Sequence, residues 1–220
     1  MDPRGSLPRV LKVALEEYYT DDTLSYQEIT FDFGTQDKFD HWEAQVPTLA
    51  AQICSSKFEC KVIFITVHSE VTHGDLFAGK DEMGEDVALV PNNFLTCLFS
   101  GDLKQVINLS TVFLLSCGPL VKYQESLNSL KDAIIMLKPK YTVAFSADRF
   151  ISASLKTFIT AFGVCIVVKR HELSEVFLDL LNLSLELRMH SDMYLFHTKA
   201  RTSAFPFSVV GTRFSWYHNH

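Results

Sequence analysis

The stretch Lys61–His68, KVIFITVH, constrains the fold more than any other part of the chain. Its residues from Val62 to Val67 are apolar or β-branched without polar alternation, so a strand built from them has to be covered on both faces, as the strands of a parallel sheet are. A second run of this kind, Thr111–Leu115, follows after an intervening helical stretch, and Tyr141–Ser146 and Val164–Val168 repeat the pattern. Tyr26–Phe33 differs: Ile29, Phe31 and Phe33 alternate with polar neighbours up to Gly34, which predicts a half-buried strand.

Helical periodicity fills the spaces between. From Gln36 to Ser55, Phe39, Trp42, Val46, Leu49, Ala50 and Ile53 form one apolar stripe, with Pro47 placed to kink the helix. Residues 91–109 read as a loop and helix around Phe94, Leu98 and Val106; Leu127–Leu137, Ile151–Phe162 and residues 172–189 read as helices, and residues 7–20 as an N-terminal one. The segment after His68 reads as a polar loop rich in Gly and Asp. Strands alternating with helices predict right-handed crossovers and an α/β, three-layer sandwich: a mainly parallel sheet with helices on both faces. A single domain over residues 1–220 is expected, its core about 25–190, with residues 193–220 packed on the body through their aromatic content.

Composition narrows the class. Of 220 residues, 47% are hydrophobic and 21% charged, which excludes a disordered or fibrous chain. A net charge of −6 offers no basic face to a phosphate backbone, so no nucleic-acid partner is expected. The apolar runs fall far short of the roughly 20 residues of a membrane-spanning helix. The start lacks the pattern of a secretory signal, and a cytoplasmic location is the expectation. The five cysteines include no Cys-x-x-Cys pair, which argues against a disulfide framework and a zinc knuckle; Cys54 and Cys60 read as small buried hydrophobes. No Gly-rich phosphate loop is present and the acidic residues Asp75, Asp81, Glu82, Glu85 and Asp86 do not match a calcium loop, so no cofactor and no metal are expected.

In an open parallel sheet, functional groups gather where loops leave the carboxyl ends of strands. His68 ends the first buried run, and Cys117 follows the second within Ser-Cys-Gly-Pro. Neighbouring strands lie about 4.8 Å apart, so an imidazole and a thiol at adjacent ends can face one carbonyl carbon. A thiol of ordinary pKa about 8.5 is mostly protonated at neutral pH, and a nearby imidazole able to take that proton makes it a nucleophile. The imidazole then protonates the leaving amine, backbone N–H groups after the two strands hold the oxyanion, and Gly118 leaves room for a substrate chain.

The string VIFITVHSEVTHGDLFAG followed by STVFLLSCGP resembles the histidine and cysteine strands of the caspase-hemoglobinase fold, in particular the CHAT group related to caspases and separases. YTVAFSADRF and SASLKTFITAF resemble the strand and helix that follow, so the likeness extends over about residues 25–190. It implies a cysteine endopeptidase with Cys117 as nucleophile and His68 as general acid/base, acting on a protein or peptide. The family's histidine is usually followed by Gly; here Ser69 follows His68, and the His-Gly pair is His73–Gly74, which makes His73 the alternative base. Asp148 stands where the family forms the pocket for the residue before the scissile bond and would suit a basic side chain; Ser69 and Gly118 are the other substrate-binding candidates. The sequence Cys117-Gly118-Pro119 departs from the family, so the alternative is a catalytically silent domain of the same fold that binds a regulatory protein partner.

Overall fold

A computed structural model of the chain describes residues 6–55, 58–200 and 207–216. Leu7–Glu16 forms α1, opened by Pro8, and buries Leu7, Leu11 and Leu15 on one face. Gln36–Cys54 forms α2; the Thr35 hydroxyl accepts the Lys38 N–H at 3.3 Å, and the helix continues through Pro47. Val62–Thr66 is β1, followed by the antiparallel hairpin of β2 (Leu76–Lys80) and β3 (Asp86–Leu89). Then come α3 (Pro91–Leu98), α4 (Leu103–Ile107), β4 (Thr111–Leu115), α5 (Pro119–Lys122) and α6 (Gln124–Leu137). After β5 (Tyr141–Phe145), a 3-10 turn at Ser152–Leu155 leads into α7 (Lys156–Phe162), which runs on as a π-helical stretch, Gly163–Val168. The remaining elements are α8 (Leu173–Asn182), α9 (Leu185–His190), β6 (Met193–Ala200) and β7 (Phe207–Phe214).

The chain is α/β, with a five-stranded sheet in the order β1-β4-β5-β6-β7. β1, β4 and β5 are parallel neighbours; β6 runs against β5, and β7 against β6. Successive side chains of a strand point to opposite faces, and each face of this sheet carries its own core. Ile65, Val112 and Leu114 pack with Trp42, Leu95 and Ile134 on the α2, α3 and α6 side. Phe113, Leu115, Val143 and Phe145 pack with Leu11, Phe158, Phe162 and Phe177 on the α1, α7 and α8 side. Covering both faces is what the unbroken apolar runs require. Among the described residues no helix is long and apolar enough to cross a membrane.

Four expectations need correction. Tyr26–Phe33 joins no ladder: Ile29 is exposed, and the segment makes one cross-bond, from Phe33 N–H to the Ala78 carbonyl at 2.7 Å, while Phe31 and Phe33 pack on Phe94. Val164–Val168 is helical, because a short buried apolar run is compatible with either state and nothing interrupts α7; Gly163 lets that helix touch α1, where a Cβ would stand 2.7 Å from Leu11 Cδ1. Residues 172–189 break at Leu183–Ser184 into α8 and α9. The polar loop after His68 is the β2–β3 hairpin, whose Leu76 and Ala78 are fully buried while Asp81 accepts the Met83 and Glu85 N–H groups at its turn. Residues 193–220 lie on the sheet as β6 and β7; their parts at 201–206 and 217–220 fall outside the described residues.

Candidate active site

The parallel pairing of β1 with β4 runs without a shift from Val62 opposite Thr111 to Thr66 opposite Leu115. Phe64 and Phe113, opposite one another, stack at 5.0 Å and 12°, which pins that register. Carried two residues further, the same register sets His68 opposite Cys117, and strand alternation assigns both to the Phe64 and Phe113 side. His68 is exposed and Cys117 partly so. Among the described residues, no hydrogen bond reaches the imidazole or the thiol, so the two side chains are neighbours by register without being joined.

The ladder opens at this point. Val67 N–H still reaches the Leu115 carbonyl, at 3.4 Å, but the next rung is missing, and Cys117 N–H has no acceptor among the described residues. The two chains leave in different directions. β1 bends into the hairpin, where Phe77 N–H binds the His68 carbonyl at 2.9 Å and Glu70 N–H the Asp75 carbonyl at 2.7 Å, while β4 turns into α5 at Pro119. Ser69 is buried and bridges Leu76; its N–H, two residues beyond that of Val67, points to the same side, towards β4, and also lacks an acceptor among the described residues. The gap therefore presents two uncommitted donors, one from each strand end.

Gly118 has a different task from the one its sequence suggests. Its N–H donates to the Ala147 carbonyl at 2.7 Å, and a Cβ would stand 2.1 Å from the Ser146 carbonyl oxygen. The room that the missing side chain leaves is taken by the end of β5, not by a substrate chain.

His73 lies on the turn from Glu70 to Gly74. The Glu70 carboxylate accepts the Thr72 hydroxyl, the Thr72 N–H at 2.7 Å and the His73 N–H at 2.7 Å, and lies 3.3 Å from His73 Nδ1. These donors, the Thr72 hydroxyl foremost, pull the Glu70 carboxyl from 4.5 to about 2. The turn is tied to the chain beyond Cys117. Ser126 Oγ donates to the Gly74 carbonyl at 3.0 Å, Tyr123 Oη to the Val71 carbonyl at 2.9 Å, and a Cβ on Gly74 would stand 2.5 Å from the Pro119 carbonyl oxygen. Both histidines thus belong to the rim on the β1 side of Cys117, and His73 alone has a carboxylate partner.

Asp148 is on the opposite side, in the loop after β5, yet it is no desolvated pocket floor. Its side chain is 83% exposed and paired with Lys122 at the end of α5, whose hydrogen bond lowers the carboxyl below its usual range. The pair links the loops that follow β4 and β5. Of the other cysteines, Cys54 is exposed at the end of α2, correcting the expectation of a buried residue, and burial pushes the thiols of Cys60 and Cys97 up. Sequence reasoning missed Glu70, Ser126 and Ser191, polar residues whose partners are brought to them only by the fold. Comparison with protein-family models, with curated proteins and with solved structures returns no match.

Proposed function

We propose that this chain is a cysteine endopeptidase of the caspase-hemoglobinase type, with Cys117 as nucleophile and His68 as general acid/base. The observation that carries the reading is the unshifted β1–β4 register, which makes His68 and Cys117 opposite neighbours where the ladder opens. The Cys117 thiol passes its proton to His68 and attacks the peptide carbonyl carbon; the Ser69 and Cys117 N–H groups are free to receive the oxyanion. Collapse of that intermediate breaks the C–N bond as His68 returns the proton to the leaving amine. Water then releases the acyl group from sulfur.

The catalytically silent reading draws on two observations: no hydrogen bond joins the imidazole and the thiol among the described residues, and the Gly118 N–H is spent on Ala147. Alkylation separates the two. With iodoacetamide at about pH 6.5, where an unassisted thiol is about 1% ionised, peptide mass spectrometry is expected to show Cys117 reacting faster than the exposed Cys54. His68→Ala is expected to slow Cys117 about tenfold or more, and His73→Ala much less. Equal rates for Cys117 and Cys54, untouched by His68→Ala, would favour the silent domain.

A further inference from the structure

The junction of α9 with β6 grips the loop that seats Gly118. Ser191, only 7% exposed, accepts with its Oγ the N–H groups of both Ser146, at 3.0 Å, and Ala147, at 3.1 Å, and donates to the Asp192 carbonyl at 2.7 Å. Its neighbours reinforce the grip. Asp192 N–H donates to Ser146 Oγ at 3.0 Å, and His190 Nε2 donates to the Arg149 carbonyl at 2.8 Å. The Ala147 carbonyl in turn holds Gly118 N–H at 2.7 Å, and Gly118 sits flush on the Ser146 carbonyl. One buried hydroxyl is therefore two hydrogen bonds away from the peptide unit that carries the Cys117 carbonyl.

We propose that Ser191 is a positioning residue for Cys117, acting through Ala147 and Gly118 to aim the Cys117 thiol and N–H at a common carbonyl group. The inference rests on the peptidase reading. A two-donor acceptor suits the task, since Ser146 and Ala147 would otherwise leave adjacent N–H groups unpaired at the end of a buried strand. A donor displaced by a fraction of an ångström loses much of its hold on a developing oxyanion, whereas a simple displacement reaction at the same sulfur makes no oxyanion.

That difference supplies the test. In p-nitrophenyl acetate the Cys117 thiolate attacks the ester carbonyl, the C–S bond forms, the C–O bond breaks and p-nitrophenolate departs with the electron pair; with iodoacetamide the sulfur displaces iodide directly. Ser191→Ala is expected to lower the acetylation rate of Cys117, mapped by mass spectrometry, about tenfold while leaving its alkylation rate unchanged. Ser191→Thr, which keeps the hydroxyl, is expected to restore acetylation and guards against a general failure of Ser191→Ala to fold. Amide hydrogen exchange gives a reading independent of reactivity: the Gly118 amide should exchange about tenfold faster in Ser191→Ala, with Val112 in the middle of β4 unchanged. An unaltered Gly118 amide, or equal losses in the two sulfur reactions, overturns the positioning role. Absence of any Cys117 acetylation in the wild type overturns the peptidase reading instead, and the exchange measurement still reports whether Ser191 holds Gly118.

Discussion

Gly118 and Ser146 meet so closely that a single added carbon on the first would stand 2.1 Å from the carbonyl oxygen of the second. Gly118 has an ordinary right-handed backbone, φ −59° and ψ −28°, so glycine is needed there for space and not for conformation. The obstacle is backbone on both sides and cannot swing away as a side chain would. Gly118→Ala is therefore expected to destabilise the fold by about 3 kcal/mol, the upper end of overpacking, in urea unfolding. A loss below about 0.5 kcal/mol would mean that the loop after β5 yields easily.

Lys122 occupies the one carboxylate that a basic substrate residue would seek. Replacing Asp148 by Asn should leave the melting temperature unchanged, since both partners are exposed and such pairs stabilise little. The effect belongs in selectivity: a mixed peptide library is expected to show weak enrichment of Arg before the cleaved bond in the wild type. Enrichment should strengthen in Lys122→Ala, which frees Asp148 for a paired contact with guanidinium, and vanish in Asp148→Asn. Cleavage after acidic or apolar residues in all three proteins would remove Asp148 from the specificity pocket.

The Glu70 turn carries a defined pH response. Its carboxyl titrates at about 2 in the fold against 4.5 ordinarily, because the Thr72 hydroxyl and the Thr72 and His73 N–H groups bind the charged form. A depressed folded value means that the stabilisation is complete above 4.5 and is lost as pH falls from there through about 2. Protection of the Thr72 amide against hydrogen exchange should weaken across that window, and Glu70→Gln should abolish the dependence. A Thr72 amide indifferent to pH in the wild type would show that the carboxylate does not organise the turn.

Thr142 on β5 buries a hydroxyl that has no partner, at 2% exposure, beside an apolar void of about 10 Å³ lined by Leu95, Ile134 and Leu137. Valine has nearly the same shape and no polar atom to desolvate. Thr142→Val is expected to stabilise the fold by about 1 kcal/mol, seen as a higher denaturant midpoint. Destabilisation of similar size would show that the hydroxyl is hydrogen-bonded in solution.

Much of the sheet was legible because burial leaves a direct trace in composition. Lys61–His68 and Thr111–Leu115 lack polar alternation, and both became strands covered on two faces, at Val62–Thr66 and Thr111–Leu115. The same cue misled at Val164–Val168, since burial selects apolar residues whether the backbone is extended or helical. The hairpin of β2 and β3 was hidden for the opposite reason: most of its side chains are exposed, and only Leu76, Ala78 and Gly79 are buried.

Taken by itself, the sequence determined local matters: which runs are apolar enough to be covered twice, where chains turn, and that His68 and Cys117 each follow such a run. Only tertiary structure decided that β1 and β4 pair with Phe64 against Phe113, and hence that His68 stands opposite Cys117. It likewise decided that Gly118 faces Ser146, that Lys122 neutralises Asp148, and that Ser191 holds the loop between them. The physical reason is one of range. Apolar burial is a property of each residue's own side chain, whereas register, close backbone approach and the partner of a polar group depend on residues far away in the chain, whose positions no local pattern encodes.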